Sequence, residues 1–211
     1  MVLHYLRDLL ARNRSGQFVV QPIATSLAIP VTAPTATWMP AGQPATRSRD
    51  LPAARFRPAD VADWLIMQVD GTPGFPSRNV AGLGVVVRTH QGTVLRAHCE
   101  RAPAQSSNEA EYQALIAGLR LIRREFPGRR ARCLTDSKLV VDQLQGVAAA
   151  RTDAIRALYQ TARELIDQFP PTTLTLVHIP RSLNRLADAL DWEALTGRHQ
   201  LLKRIGTSFC L

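Results

Sequence analysis

The stretch Ser107-Asn-Glu-Ala-Glu-Tyr-Gln-Ala-Leu-Ile-Ala-Gly-Leu119 predicts the start of an amphipathic helix with one unusual position. Steps of three and four residues run from Glu111 through Leu115, Gly118, Ile122 and Phe126, which form the apolar stripe of an inward-facing helix. A carboxylate at the head of that stripe points towards the core or the floor of a cleft. Burying its charge is costly unless a cation or hydrogen-bond donors compensate it. The sequence therefore predicts a positive partner for Glu111.

The runs on either side of this helix predict an α/β domain. Three strand-like runs precede it, at 64–70, 82–88 and 93–99. After it come a strand at 130–135, helices at 137–145 and 152–169, a strand at 173–179 and a helix at 184–195. The predicted order is β-β-β-α-β-α-α-β-α, an α/β fold with a five-stranded mixed sheet.

Charge and composition divide the chain into three parts. Residues 63–196 are nearly balanced, with 16 Lys and Arg against 14 Asp and Glu. Residues 1–62 contain 7 basic and 3 acidic residues and are rich in Pro, Ala and Thr. Residues 197–211 contain 3 basic residues and no acidic one. We expect an N-terminal extension that is largely linker, a folded domain at 63–196 and a basic tail, although residues 2–12 could form a short helix. Basic tails suit a polyanionic partner or are simply solvated.

Neither a membrane span nor a disulfide framework is predicted. Prolines interrupt the uncharged stretch 15–46, so no run of about 20 apolar residues remains to cross a bilayer. The three cysteines form no Cys-x-x-Cys pair and are odd in number. This argues for a reducing compartment, and we expect a cytoplasmic protein.

Four carboxylates carry the chemistry that the sequence predicts. Asp70 and Asp136 end apolar strands, at the edge of an α/β sheet where ligands bind. Glu111 and Asp188 lie on helices, Asp188 beside apolar residues of the last one. The alternative is four unrelated surface or capping acids. If the four converge, they need protons or cations, because two carboxylates about 4 Å apart repel by about 4 kcal/mol at an effective dielectric near 20.

Four motifs in this order resemble the type 1 ribonuclease H family, in its compact prokaryotic branch. They are Val69-Asp-Gly71, Asn108-Glu-Ala-Glu-Tyr112, Thr135-Asp-Ser137 and Asn184-Arg-Leu-Ala-Asp-Ala-Leu190. The resemblance covers residues 64–195 and implies a ribonuclease H-like fold with helices on both faces of the sheet. It implies an endonuclease that cuts the RNA strand of RNA–DNA hybrids.

The resemblance also implies the site residues. Asp70, Glu111, Asp136 and Asp188 would be catalytic and would bind two Mg²⁺ or Mn²⁺ ions, the cations that oxygen ligands select. Two such ions can clamp an in-line attack on a phosphodiester. The expected substrate-binding residues are Gly71, Asn108, Ser137, Arg181 and Asn184. Asn108 could also cap its helix and serve in both roles, and for Ser137 the role of a cap is favoured over a phosphate contact.

Departures from the family pattern keep two alternatives open. Ser106-Ser107-Asn108 stands where the family usually has Thr-Asn-Asn, and residues 146–151 lack the aromatic and lysine residues that would grip a DNA strand. The chain could therefore be a ribonuclease H-like binding module with little or no hydrolysis. It could also be a nuclease of this fold with another substrate.

Overall fold

The computed structural model describes residues 10–12, 18–20, 64–74, 79–198 and 201, and from residue 64 it confirms the predicted order of elements. The strands are β1 (Leu10–Arg12), β2 (Phe18–Val20), β3 (Trp64–Pro73), β4 (Val80–Thr89), β5 (Val94–Pro103), β6 (Arg130–Thr135) and β7 (Leu174–His178). The helices are α1 (Ser107–Glu125), α2 (Lys138–Leu144), α3 (Asp153–Ile166) and α4 (Arg185–Thr196), with a 3₁₀ turn at Arg181–Leu183.

The main sheet is mixed and has β3 at its centre. Its order is β5-β4-β3-β6-β7. The first three strands form an antiparallel meander, whereas β6 and β7 run parallel to β3 and are reached through helices. Because β3 and β6 are parallel neighbours, the residues that follow their paired segments lie at the same edge of the sheet.

The position of Asp70 differs from the prediction. It does not end its strand, because β3 continues to Pro73, and Asp70 pairs with Gly84 of β4. The parallel pairing with β6, however, stops at Gln68. Asp70 therefore lies beyond the last β3–β6 pair, where the sheet opens, and this is the place that the prediction required.

Alternate residues of β3 face the two layers of helices. Leu65, Met67 and Val69 are fully buried in the large core that α1 and α3 cover. The intervening residues point to the other face, where Gln68 donates to the Leu183 carbonyl and Thr72 donates to α4. Asp70 lies between Gln68 and Thr72 in this alternation, so it is on the α4 face of the sheet.

Outside residues 64–198 little of the chain is described. The helix predicted at 2–12 is wrong for residues 10–12, which form β1 and pair antiparallel with β2. The rest of the predicted linker lies outside the described residues. Leu201 is buried with Leu186 and Leu190 of α4, so packing extends beyond the predicted boundary at 196.

Two further observations concern the predicted absences. No helix in the described ranges is long and apolar enough to span a membrane. Cys99 and Cys133 are buried free thiols, and burial raises the pKa of the Cys133 thiol.

Candidate metal centre

Three of the four predicted carboxylates converge at the open edge of the sheet. Asp70 comes from β3, Glu111 from the second turn of α1, and Asp136 from the residue that follows β6. Each offers an oxygen, and these oxygens all lie within 4.8 Å of one another. At such distances like charges oppose one another by several kcal/mol in a partly buried site, so this cluster needs a compensating positive charge.

The hydrogen bonds around the cluster leave acceptors without donors. Asp70 Oδ1 accepts from the Gly71 amide at 2.9 Å, and Asp136 Oδ1 accepts from Asn184 Nδ2 at 2.7 Å. Asp70 Oδ2, Glu111 Oε2 and Asn184 Oδ1 are buried and have no hydrogen-bond partner. A buried acceptor without a donor is unusual and costly. Hard oxygen atoms of this kind are the ligands of Mg²⁺ and Mn²⁺, so the residues fit a divalent cation.

The electrostatics of the cluster agree with this chemistry. Burial, followed by repulsion from Asp136 and Asp188, raises the pKa of Asp70 to about 7. Burial, followed by repulsion from Asp70 and Asp136, raises the pKa of Glu111 to about 9. Without cations the folded site therefore holds protons at neutral pH, and a cation that binds there competes with them.

Asp188 is not within this group of three. It lies on α4, is 39% exposed, and its Oδ1 accepts from Arg181 at 2.6 Å. Its negative charge still reaches the cluster, because it raises the pKa of Asp70. Arg181 is 74% exposed and lowers the pKa values of Asp70 and Glu111. Among the described side chains, Arg181 is thus a cation already placed beside the acids.

Asn184 has a different position from the one predicted. We expected a substrate contact, but its side chain is 0% exposed. Its Nδ2 donates to the Val69 carbonyl at 2.8 Å and to Asp136. Asn184 therefore connects β3 to the carboxylate that follows β6, and these bonds position Asp136.

The other predicted substrate residues have mixed environments. Asn108 is exposed in the first turn of α1, and the helix is capped by Ser106, not by Asn108. The Gly71 amide donates a hydrogen bond to Asp70 Oδ1. A Cβ at Gly71 would lie 2.2 Å from the Ala110 carbonyl oxygen. Ser137 occupies the N-cap position of α2 as expected, but its side chain makes no capping hydrogen bond.

Glu109 and Glu111 have separate roles on the same helix. Ser106 Oγ accepts from the Glu109 amide at 3.3 Å, and the Glu109 carboxylate accepts from Ser106 Oγ and from the Gln105 amide. This is a variant of the capping box, in which the Glu109 carboxylate accepts from the amide before the N-cap residue instead of from that of the N-cap itself. Glu109 therefore stabilises the start of α1, while Glu111 faces the cluster.

Asp191 is a fifth acid that the sequence analysis did not select. It is 1% exposed, accepts from Thr72 Oγ1 at 2.9 Å, and burial followed by repulsion from Asp70 raises its pKa to about 9. The available signal was its spacing, three residues after Asp188 on the same helical face.

Comparisons with known proteins agree with the geometry. The reverse transcriptase-like family model matches residues 68–192. Ribonuclease HI of Halobacterium salinarum is 34% identical over 125 residues, which are 59% of each chain. A bifunctional protein of Mycobacterium tuberculosis is 33% identical over 138 residues, which are 64% of this chain and 36% of that protein. The chain thus spans about a third to three fifths of the length of these relatives.

Solved structures give the same result. The N-terminal RNase H domain of the mycobacterial protein, solved as a fusion with maltose binding protein, superposes with a TM-score of 0.57 and 32% identity, over 66% of this chain and 98% of that one. A compost-derived RNase H1 in complex with RNA/DNA hybrid superposes with a TM-score of 0.55 and 28% identity, over 63% of this chain and 97% of that one. This chain therefore belongs to the reverse transcriptase-like family and, within it, to the type 1 ribonuclease H proteins.

Proposed function

We propose that this chain is a metal-dependent endonuclease that hydrolyses the RNA strand of RNA–DNA hybrids with two Mg²⁺ or Mn²⁺ ions. The observation that carries the proposal is the set of buried carboxylate oxygens without donors on Asp70 and Glu111, clustered with Asp136. The names of the relatives, and the hybrid bound to the compost-derived RNase H1, support the reaction and the substrate.

Each residue of the site has a role in this proposal. Asp70, Glu111 and Asp136 hold the cations, and Asp188 joins them when Arg181 releases it. The bound ions would activate water and stabilise the leaving 3′ oxygen during an in-line displacement. Asn184 fixes the orientation of Asp136 through a hydrogen bond to a charged acceptor, which is stronger than a neutral one.

The substrate contacts come from exposed groups near the cluster. Arg181, once free of Asp188, provides a guanidinium that can bind a phosphate in bidentate fashion. Asn108 is exposed at the N-terminal turn of α1, three residues before Glu111, and its amide can read a 2′-hydroxyl, the group that distinguishes RNA from DNA. The tails, with their basic excess, add attraction for the polyanion.

The test uses labelled RNA–DNA hybrid, duplex RNA, duplex DNA and single strands in one assay with Mg²⁺, Mn²⁺ or EDTA. We expect cleavage of the RNA strand of the hybrid only with a metal, and loss of cleavage in Asp70→Asn. The matched control is Asp167→Asn, an exposed acid at the C-cap of α3 and outside the carboxylate cluster, which should cleave normally. An intact hybrid under both metals contradicts the proposal.

A second candidate function is a hybrid-binding module without hydrolysis. The Arg181–Asp188 ion pair favours it, since this pair occupies the fourth predicted ligand. This candidate requires hybrid binding that survives Asp136→Asn, together with negligible turnover by the wild-type protein. Gel-shift and cleavage measurements on the same samples separate it from the endonuclease.

A further inference from the structure

The acid Asp191 lies behind the cluster on α4, one turn after Asp188. Three residues of helix advance about 4.5 Å along the axis, so the two acids follow one another on the same face. Thr72 stands two residues after Asp70 on β3 and therefore points to the same face of the sheet. Its hydroxyl donates to Asp191 Oδ2 at 2.9 Å, so this bond joins the two elements that carry Asp70 and Asp188.

The backbone at Asp191 packs directly against the sheet. Gly82 of β4 lies beneath it, and a Cβ at Gly82 would be 2.0 Å from the Asp191 carbonyl oxygen. The helix thus approaches the strand more closely than a side chain permits. Because Asp191 is 1% exposed, its carboxylate is shielded from bulk water.

The packing of Asp191 alone does not account for a carboxylate. Its donors, the Thr72 hydroxyl and the Trp192 amide, are neutral groups and only weakly compensate a buried charge, which usually has a cationic partner. The charged groups that act on Asp191 are acids, Asp70 from β3 and Asp188 from its own helix, and Asp191 in turn acts on Glu111 of α1. These three acids, Asp70, Asp188 and Glu111, lie around the site that fits a divalent cation.

We propose that Asp191 is a positioning residue of the metal centre, whose negative charge strengthens divalent-cation binding at Asp70 and its neighbours without touching the ion. The inference rests on the proposed function, because that proposal is what requires bound cations. It assigns to Asp191 a role in cation affinity, whereas the proposed function concerns the reaction.

The test is calorimetric titration of the full chain with Mn²⁺ and with Mg²⁺, in the absence of substrate. Asp191→Asn keeps an acceptor for Thr72 but removes the charge, so we expect the affinity for Mn²⁺ to fall about tenfold, consistent with the loss of one charge at short range. Asp167→Asn is the control and should match the wild type.

Thr72→Val separates the charge from the hydrogen bond. It keeps the charge of Asp191, so we expect an Mn²⁺ affinity within about twofold of the wild type and a lower unfolding temperature, owing to one lost buried bond. An affinity loss as large as that of Asp191→Asn overturns the inference. If Asp191→Asn fails to fold, Asp191→Ala, which fits a helix and also lacks the charge, should show the same tenfold loss.

The failure of this inference and that of the proposed function give different results. A wild-type chain that binds neither Mn²⁺ nor Mg²⁺ refutes the metal-dependent function. A wild-type chain that binds them as tightly as Asp191→Asn refutes only the role of Asp191.

Discussion

Neutralising Glu111 should make the metal-free protein more stable at neutral pH. The pKa of Glu111 is raised from an ordinary 4.5 to about 9. Between these two values the unfolded chain has lost the proton of Glu111 while the folded chain still holds it. Unfolding therefore releases a proton, and the stability of the wild type falls as the pH rises from 4.5 towards 9. Glu111→Gln has no such proton to release and escapes this loss.

The size of the effect follows from the same values. One pKa unit corresponds to about 1.4 kcal/mol, so between pH 4.5 and pH 7 the loss reaches at most about 3 kcal/mol. Glu111 is half-buried and coupled to Asp70, and water and relaxation of the site screen the interaction. We therefore expect a gain of about 1 kcal/mol at pH 7, or about 2–4 °C in the unfolding temperature for a chain of this size.

The measurement is urea unfolding followed by circular dichroism in EDTA, at pH 4 and at pH 7. At pH 4 Glu111 is protonated in both states, so Glu111→Gln and the wild type should have the same stability. At pH 7 the variant should be more stable, and it should lose the stabilisation that Mn²⁺ gives the wild type. Glu109→Gln is the matched control. The Glu109 carboxylate caps α1 and is not part of the cluster. Glu109→Gln should therefore show neither the gain in stability at pH 7 nor the loss of stabilisation by Mn²⁺. If Glu111→Gln is less stable than the wild type at pH 7, Glu111 does not face the other acids.

Three further predictions concern the frame of the site. Asn184→Ala should lower the free energy of unfolding by about 1–3 kcal/mol, because it leaves the Val69 carbonyl without its side-chain donor, and it should weaken Mn²⁺ binding in calorimetry. Gly71→Ala should unfold in much less urea than the wild type, since its Cβ overlaps a carbonyl of α1, whereas Gly128→Ala, at φ +74 in open space, should lose only about 1 kcal/mol. Ser106→Ala should lower stability by about 1 kcal/mol through the lost N-cap, with hybrid cleavage per folded molecule unchanged.

Local patterns predicted the fold from residue 64 because the apolar residues of each element recur at a regular spacing and turn-forming residues mark its end. The apolar stripe of α1 ends before Pro127-Gly128, and the structure ends the helix at Glu125. The two short strands β1 and β2 were missed, since three residues are too few for a period. The extension of β3 to Pro73 was missed as well. It depends on the pairing with β4, which no local signal reveals.

The candidate site was predictable in its composition but not in its contacts. The convergence of Asp70, Glu111 and Asp136 was expected from the family resemblance, together with the positions of the two Asp residues after apolar runs and of Glu111 on the inward face of a helix. The ion pair of Asp188, the burial of Asn184 and the packing of Asp191 depend on how α4 lies against the sheet. That docking is a long-range property, and a sequence reports it only through the spacing of residues within the helix.

The amide of Asn184 also has a consequence for the order of assembly. Asp70, Glu111 and Asp136 belong to segments that leave the ribosome early, and these can pair as soon as β6 is made. Asp136 acquires its fixed orientation only when residue 184 arrives and reaches back to β3, 115 positions earlier in the chain. The orientation of Asp136 therefore stays unfixed in a nascent chain until α4 docks, so a ribosome-bound intermediate should have little affinity for divalent ions.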